Sequence, residues 1–363
     1  MLDLPSVLHI DAERGFSGGE VQVFLLMEGL RKLGWRQALA CPPNSAAEAH
    51  ALGRGFDVFR VPMDSDLALL APVRLAAAAR RFGADLVHLH TGRATWLGGL
   101  GALLAGVPAL TTRRMDRRVR RGWRTRLVHE RLTKRTVAIS PAVAQCLAEG
   151  GVPQDRVRTI WSSIDPARVR AARGRDEVRI ELDVGAGDVL AVSLGTLIRR
   201  KGFDVLVEAA ARAARPELVV AIAGEGPERE ALAERARATG VRLLLLGRRE
   251  DVGDLLAAAE LSVLPARREG LGVAALEAMA AGRALLATRV GGLGEAVIDG
   301  QSGLLVPADD ADALGTALAR LVADPALRAR LGAGGVARVR ERFLAAHMVA
   351  AYEALYRELL DER

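Results

Sequence analysis

Short apolar runs alternate with helix-length amphipathic segments through both halves of the chain. In the first half the strand-like runs are SVLHI, RQALAC, DVFRV, DLVHLH, VPALTT, TVAIS and VRTIW; in the second they are DVLAVSLG, ELVVAIAG, VRLLLLG, LSVLP, RALLAT and GLLV. Near-continuous apolar strands separated by amphipathic helices predict parallel sheets covered on both faces, so two βα domains are expected, at 1–170 and 185–344. Asp165 to Asp188, polar and glycine-bearing, reads as a linker region. From Asp309 onward the pattern is helical. Ala94 to Thr112 carries no charge, but its glycines and Pro108 predict a helix followed by a strand rather than a membrane span.

Length agrees with two domains, since 363 residues exceed what one core usually organises. Two cysteines, Cys41 and Cys146, cannot make a disulfide framework, and the N-terminus lacks the basic and apolar regions of a secretory signal. A cytoplasmic location is expected. Charge is unevenly divided: residues 1–170 hold 25 Lys+Arg against 15 Asp+Glu, whereas the remainder holds 26 against 29. The excess is concentrated between Arg113 and Arg135, where 11 basic residues meet only Asp116 and Glu130. Such a cluster is either a solvated helix face or a surface for a phosphate-rich partner. Asp64 and Asp66 resemble a metal pair but read more simply as a helix N-cap before an apolar run.

Ligands of open parallel sheets sit beyond the carboxyl ends of the strands, beside helix N-termini. Three loops there combine glycine, charge and a following helix: RGFSGGE (14–20), GTLIRRKG (195–202) and the start of REGLGVAALEAMAAG (268–282). Lys201 stands out because the chain has only three lysines among 51 basic positions; at a helix start its charge opposes the macrodipole unless an anion such as a diphosphate answers it. Glu269 and Glu277 are eight residues apart, about 12 Å along a helix, enough to meet opposite ends of an elongated ligand. AGEGPE and EGLGVAA are weak as dinucleotide loops, and no HExxH or GxxxxGK[ST] occurs.

EGLGVAALE resembles the E-x7-E motif of retaining GT-B glycosyltransferases, family 4, and SGGE, DLVHLH, VAIS, GTLIRRKG, AGEGPE, LSVLPARREG, EAMAAGRALLAT and GGLGEAVIDGQSGLLV follow that family in order. The resemblance implies two Rossmann-like doubly wound parallel-sheet domains facing a central cleft, the first for acceptor and the second for nucleotide-sugar, with the last helix (about 345–363) returning to the first. It implies Lys201, Glu269 and Arg200 at the reacting end. Donor contacts fall on Gly18, Gly19, Thr196, Arg199, Gly224, Arg248, Gly270, Leu271, Gly272 and Glu277, acceptor contacts on His90, Arg113 and Arg114. Glu269 would face the sugar, Glu277 the ribose and Lys201 the diphosphate. Three positions depart from the family: its arginine after the glycine of GRL is Thr196, its histidine after PALTT is replaced by Arg113 or Arg114, and NGVD is SSID. The implied reaction transfers a sugar with retention to a glycan or lipid-linked acceptor, in cell-envelope polysaccharide or lipopolysaccharide synthesis. No metal or cofactor is expected, and contact with the inner membrane face would be peripheral. A sugar-nucleotide epimerase is the alternative enzyme; a basic nucleic-acid binder is the other, with only 4% aromatics for stacking.

Overall fold

A computed structural model describes residues 5–362. It divides into two compact units: the chain through Ser162 together with the stretch from Ala345 on, and Ser163–Leu344. Each apolar run becomes a strand. In the first unit β1 (Ser6–Ile10), β2 (Arg36–Cys41), β3 (Asp57–Arg60), β4 (Leu86–Leu89), β5 (Ala109–Arg113), β6 (Arg135–Ala138) and β7 (Val157–Thr159) form a parallel sheet in the order β3-β2-β1-β4-β5-β6-β7. In the second, β8 (Val189–Leu194), β9 (Leu218–Ala223), β10 (Leu243–Gly247), β11 (Leu261–Leu264), β12 (Ala284–Thr288) and β13 (Leu304–Val306) are ordered β10-β9-β8-β11-β12-β13. Both orders reverse direction beside the first strand, the doubly wound arrangement that opens a crevice at that strand's carboxyl end.

Two expectations differ. Asp165–Asp188 is folded into the second unit: Asp165 caps a 3-10 turn, Asp254 accepts the Ala172 and Arg173 N–H groups, and a Cβ on Gly253 would lie 2.7 Å from the Arg170 carbonyl oxygen. The chain enters and leaves this unit side by side, with Ile164 N–H donating to Phe343 O. Second, the helix after Asp64–Asp66 begins at Ala71, with no side-chain cap; Ser65 caps only the Leu67 N–H, while Asp66 pairs with Arg93 and Arg124. The uncharged stretch resolves into the helix Gly92–Ala105 and β5. Among the described residues no helix is long and apolar enough to cross a membrane.

The helix Gly18–Lys32 starts with a capping box between Ser17 and Glu20 and packs against the last helix, Ala345–Asp361, where a Cβ on Gly29 would lie 2.3 Å from Val349. The last helix also carries Tyr352 and Tyr356 into a polar core. His88 Nδ1 meets the Tyr356 hydroxyl at 2.6 Å, His88 Nε2 meets Thr112 Oγ1 at 2.7 Å, and Thr112 meets the Tyr352 hydroxyl at 2.8 Å. His9 and His90 complete the cluster, all three rings being buried.

These rings dictate how the first unit responds to acid. Burial holds His9 neutral to about 4, against 6.5 ordinarily, and depresses His88, His90 and His129 in the same direction. Stability from such groups is complete above pH 6.5 and declines as the pH falls towards 4, His9 alone accounting for on the order of 3 kcal/mol. Asp11 opposes this: burial and Glu20 raise it to about 7, so its contribution is complete below 3.8 and is lost as the pH rises through 7. Four histidines outweigh one aspartate, so the urea midpoint should fall steadily between pH 6.5 and 4.5, while Asp11→Asn should raise it at pH 8 more than at pH 5. A midpoint that is flat from pH 7 to 5 would show that these rings are not held neutral.

Candidate functional site

In the second unit the loop after β8 is shaped by glycine. Gly195, at φ 150°, lies over the Lys201 side chain, with Lys201 Cε 3.4 Å from where its Cβ would stand. A 3-10 turn, Arg199–Lys201, ends at Gly202, whose φ of 69° disfavours a side chain and where a Cβ would lie 2.0 Å from the Pro265 carbonyl oxygen. The turn is clamped from the loop after β11. Arg267 donates to the Arg199 carbonyl at 2.7 Å and is anchored by Asp204 at 2.7 and 2.8 Å, and the Arg267 N–H donates to Arg200 O at 2.9 Å.

This closeness brings together Lys201, Arg200 and Glu269. Lys201 Nζ lies 2.5 Å and Arg200 Nη1 3.6 Å from Glu269 Oε2, all three side chains being half-buried. Two cations and one carboxylate leave net positive charge beside the loop after β8. Gly272, at φ 86°, starts the helix Val273–Ala280, which carries Glu277 inward; Leu271 and Gly270 are buried before it. Burial raises the Glu277 carboxyl above its ordinary range, with Arg168 as its partner at 3.5 Å. Arg168 and Arg267, which hold Glu277 and the Arg199–Lys201 turn, were missed by sequence reasoning because each meets its partner across a long separation in the chain.

The other expected donor residues are placed differently. Thr196, in the loop before the turn, and Arg199, in the turn, are exposed. Gly224 packs under it: its Cβ would lie 1.9 Å from the Gly195 carbonyl oxygen, and Glu225 O accepts from the Leu197 N–H. The glycines of AGEGPE thus permit two backbones to touch. Arg248, exposed beyond β10, two strands from β8, has Glu250 at 3.7 Å.

In the first unit Gly18 and Gly19 open the helix Gly18–Lys32, and Arg114 lies against Gly19, its Cδ 3.6 Å from a Cβ placed there. Arg113 turns away, donating to the Arg117 carbonyl at 2.6 Å. His90 is buried beneath Arg114, which donates to its Nδ1 at 3.2 Å, while its Nε2 is 2.9 Å from His9 Nδ1. The carboxyls of Asp11 and Glu20, also buried nearby, were not singled out from sequence. His9, His88 and His90 have the spacing of a metal-ligand set, but each ring nitrogen already has a hydrogen-bonding partner and Arg114 adds positive charge beside them, so the cluster is poorly matched to a cation.

Comparison with known proteins gives a consistent picture. The profile described as Glycosyltransferase Family 4 matches residues 16–168, and that of Glycosyl transferases group 1 matches 174–338. The chain is 31% identical to an alpha-maltose-1-phosphate synthase of Mycolicibacterium smegmatis, over 95% of this chain and 96% of that one. It is 33% identical to the lipopolysaccharide core biosynthesis glycosyltransferase LpsE of Rhizobium meliloti, over 58% and 60%. Its fold is that of Anabaena HepE, solved in complex with UDP and glucose, with a TM-score of 0.87 at 18% identity over 98% and 100% of the two chains. Matched in both halves by this family's profiles and aligned with a relative along nearly its whole length, the chain belongs to glycosyltransferase family 4 and is a glycosyltransferase of the GT-B fold.

Proposed function

We propose that the protein transfers a sugar from a nucleotide-diphosphate donor to an anionic glycan or lipid-linked acceptor of the cell envelope, with retention of anomeric configuration. The observation that carries this reading is the convergence of Lys201 and Arg200 on Glu269 in the second unit. A diphosphate drawn to the two cations brings the sugar to Glu269, whose carboxylate accepts hydrogen bonds from its hydroxyls. Glu277, carried by the helix that follows the Glu269 loop, then accepts from the ribose. The acceptor oxygen bonds to the anomeric carbon as the bond to the diphosphate breaks; the departing phosphate oxygen takes the acceptor's proton, so both events occur on one face and configuration is kept. Lys201 and Arg200 stabilise the negative charge that develops, a role this reading fills without a metal. The solved complexes of the Anabaena protein with UDP and with UDP-glucose support a nucleotide-sugar donor.

The acceptor side rests on charge and apolar exposure together. Leu67 and Leu69 are more than four-fifths exposed, and Leu70, Val73 and Trp123 are also exposed. They are joined to the arginine-rich segment: Arg124 pairs with Asp66 at 2.7 Å and stacks over Trp96, which meets Trp123 edge-on and donates to the Asp66 carbonyl. Exposed leucine and tryptophan beside arginine suit peripheral contact with an anionic lipid surface.

Turnover with UDP-, GDP- or ADP-sugars, with product configuration read by NMR, tests the reaction; Lys201→Ala should lower it about a hundredfold while the protein stays folded. Unchanged kinetics would remove Lys201 from the site. Glu277→Gln should weaken binding of the bare nucleoside diphosphate, whereas Glu269→Gln should act only when the sugar is present; equal loss of bare-nucleotide affinity in both would contradict their assignment to opposite ends. Flotation with anionic vesicles should recover wild type at low salt, less at high salt, and little of a variant with Arg117, Arg118, Arg120 and Arg121 changed to serine. Equal recovery on neutral vesicles would return the segment to a solvated surface.

A further inference from the structure

The neutral cluster of the first unit ends on a cation. Gln37 Nε2 donates to the Met27 carbonyl at 2.6 Å, which fixes the amide so that its oxygen faces His9 Nε2 at 3.1 Å. His9 Nε2 must therefore carry the proton, and in a ring held neutral by burial Nδ1 is then an acceptor. His90 Nε2–H supplies the donor at 2.9 Å, which leaves His90 Nδ1 as the acceptor for Arg114 Nη2 at 3.2 Å. Each step allows one tautomer, so the chain from the Met27 carbonyl to the guanidinium has a single direction. Reversing either ring would point an N–H at the arginine.

Arg114 is under-used by this anchoring. Its Nε–H is buried without an acceptor, and among the described residues the guanidinium forms no ion pair; Asp11 feels its charge, and the Tyr352 hydroxyl, a neutral group, hydrogen-bonds it without cancelling that charge. An orphaned buried donor on an unpaired cation is costly unless something else occupies it. Arg113 has an orphaned Nε–H as well, and what separates the two is direction: Arg113 donates to the Arg117 carbonyl, towards the basic segment, whereas Arg114 donates to His90 and lies against Gly19.

Building on the glycosyltransfer reading, we propose that Arg114, not Arg113, binds the anionic group of the acceptor, a phosphate or carboxylate, and that His90, His9 and Gln37 are positioning residues that aim it. The arrangement explains why three polar side chains are buried in a line: a neutral imidazole accepts from the guanidinium without cancelling its charge, as a carboxylate there would, so the cation remains available to a ligand. Rigid aim from a buried scaffold is what acceptor recognition requires.

Inorganic phosphate titrated into the full chain saturated with UDP provides the test, since UDP fills any diphosphate site first. Arg114→Gln should weaken phosphate binding at least about tenfold and leave UDP affinity within about twofold. His90→Phe should weaken phosphate similarly, whereas His90→Gln, which keeps an acceptor oxygen for Arg114 and a donor for His9, should restore most of it. Gln37→Met, which releases the His9 tautomer, should fall between. Nitrogen NMR of labelled histidine should show His9 and His90 both protonated at Nε2. Loss of UDP affinity in Arg114→Gln would assign the cation to the donor diphosphate and overturn the proposal. So would phosphate binding that is equal in wild type and Arg114→Gln, a His90→Gln variant no better than His90→Phe, or an Nδ1-protonated ring in wild type. Failure of wild type to bind UDP would instead refute the glycosyltransfer reading, and Arg114 would then be judged by the phosphate titration and the tautomers alone.

Discussion

The Pro265 carbonyl oxygen leaves no room for a side chain at Gly202, and much of the second unit's site follows from that approach. Two loops at the carboxyl ends of β8 and β11 are pressed together until backbone meets backbone. A cation from one and a carboxylate from the other then meet at 2.5 Å. Any Cβ at Gly202 would separate the loops, and φ of 69° disfavours one independently. The same logic recurs at Gly224 against Gly195, so three loops are stacked through glycines. Arg267, held by Asp204, keeps the Arg199–Lys201 turn in place.

The two units place polar groups by opposite means. The second gathers opposite charges in half-buried pairs, where solvent softens the desolvation cost and a ligand can replace a partner. The first buries its polar groups completely and keeps the histidines neutral, because a protonated imidazole in a cluster of three beside Arg114 would face both desolvation and repulsion. Direction of hydrogen bonding then carries what charge carries in the other unit. Tyr352 and Tyr356 close this core from the last helix, so the chain's far end helps hold residues near its beginning.

What was legible in the sequence was periodic or local. All the strands were marked by apolar runs, since a strand buried on both faces admits little else. Lys201, Glu269 and Glu277 were visible because each breaks a local rule: a rare lysine, or an acid in an apolar run. The histidine chain was not visible, because DLVHLH shows two histidines but not that His9 stands on the neighbouring strand in register with His88. Arg168, on a segment that reads as linker, and Arg267, one of many arginines, were hidden for a similar reason. Nothing local separates an arginine that clamps a turn from one that faces water.

The departure at Thr196 puts the question of which cations stand beside Glu269. Where the family resemblance leads one to expect an arginine, this chain has an exposed threonine, and two arginines follow within one turn. Only one of them reaches Glu269. Arg267 takes the carbonyl of Arg199, whose side chain is exposed, while Arg200 donates to the Arg268 carbonyl and stands 3.6 Å from Glu269. A second cation beside the carboxylate is thus supplied from the other end of the same turn. Coulomb attraction depends on distance rather than on which residue supplies the charge, so Arg200 at 3.6 Å adds its field to that of Lys201 at 2.5 Å. Net positive charge next to Glu269 thus comes from Lys201 and Arg200, and Arg267, by holding the carbonyls of Arg199 and Arg200, fixes the turn that presents them.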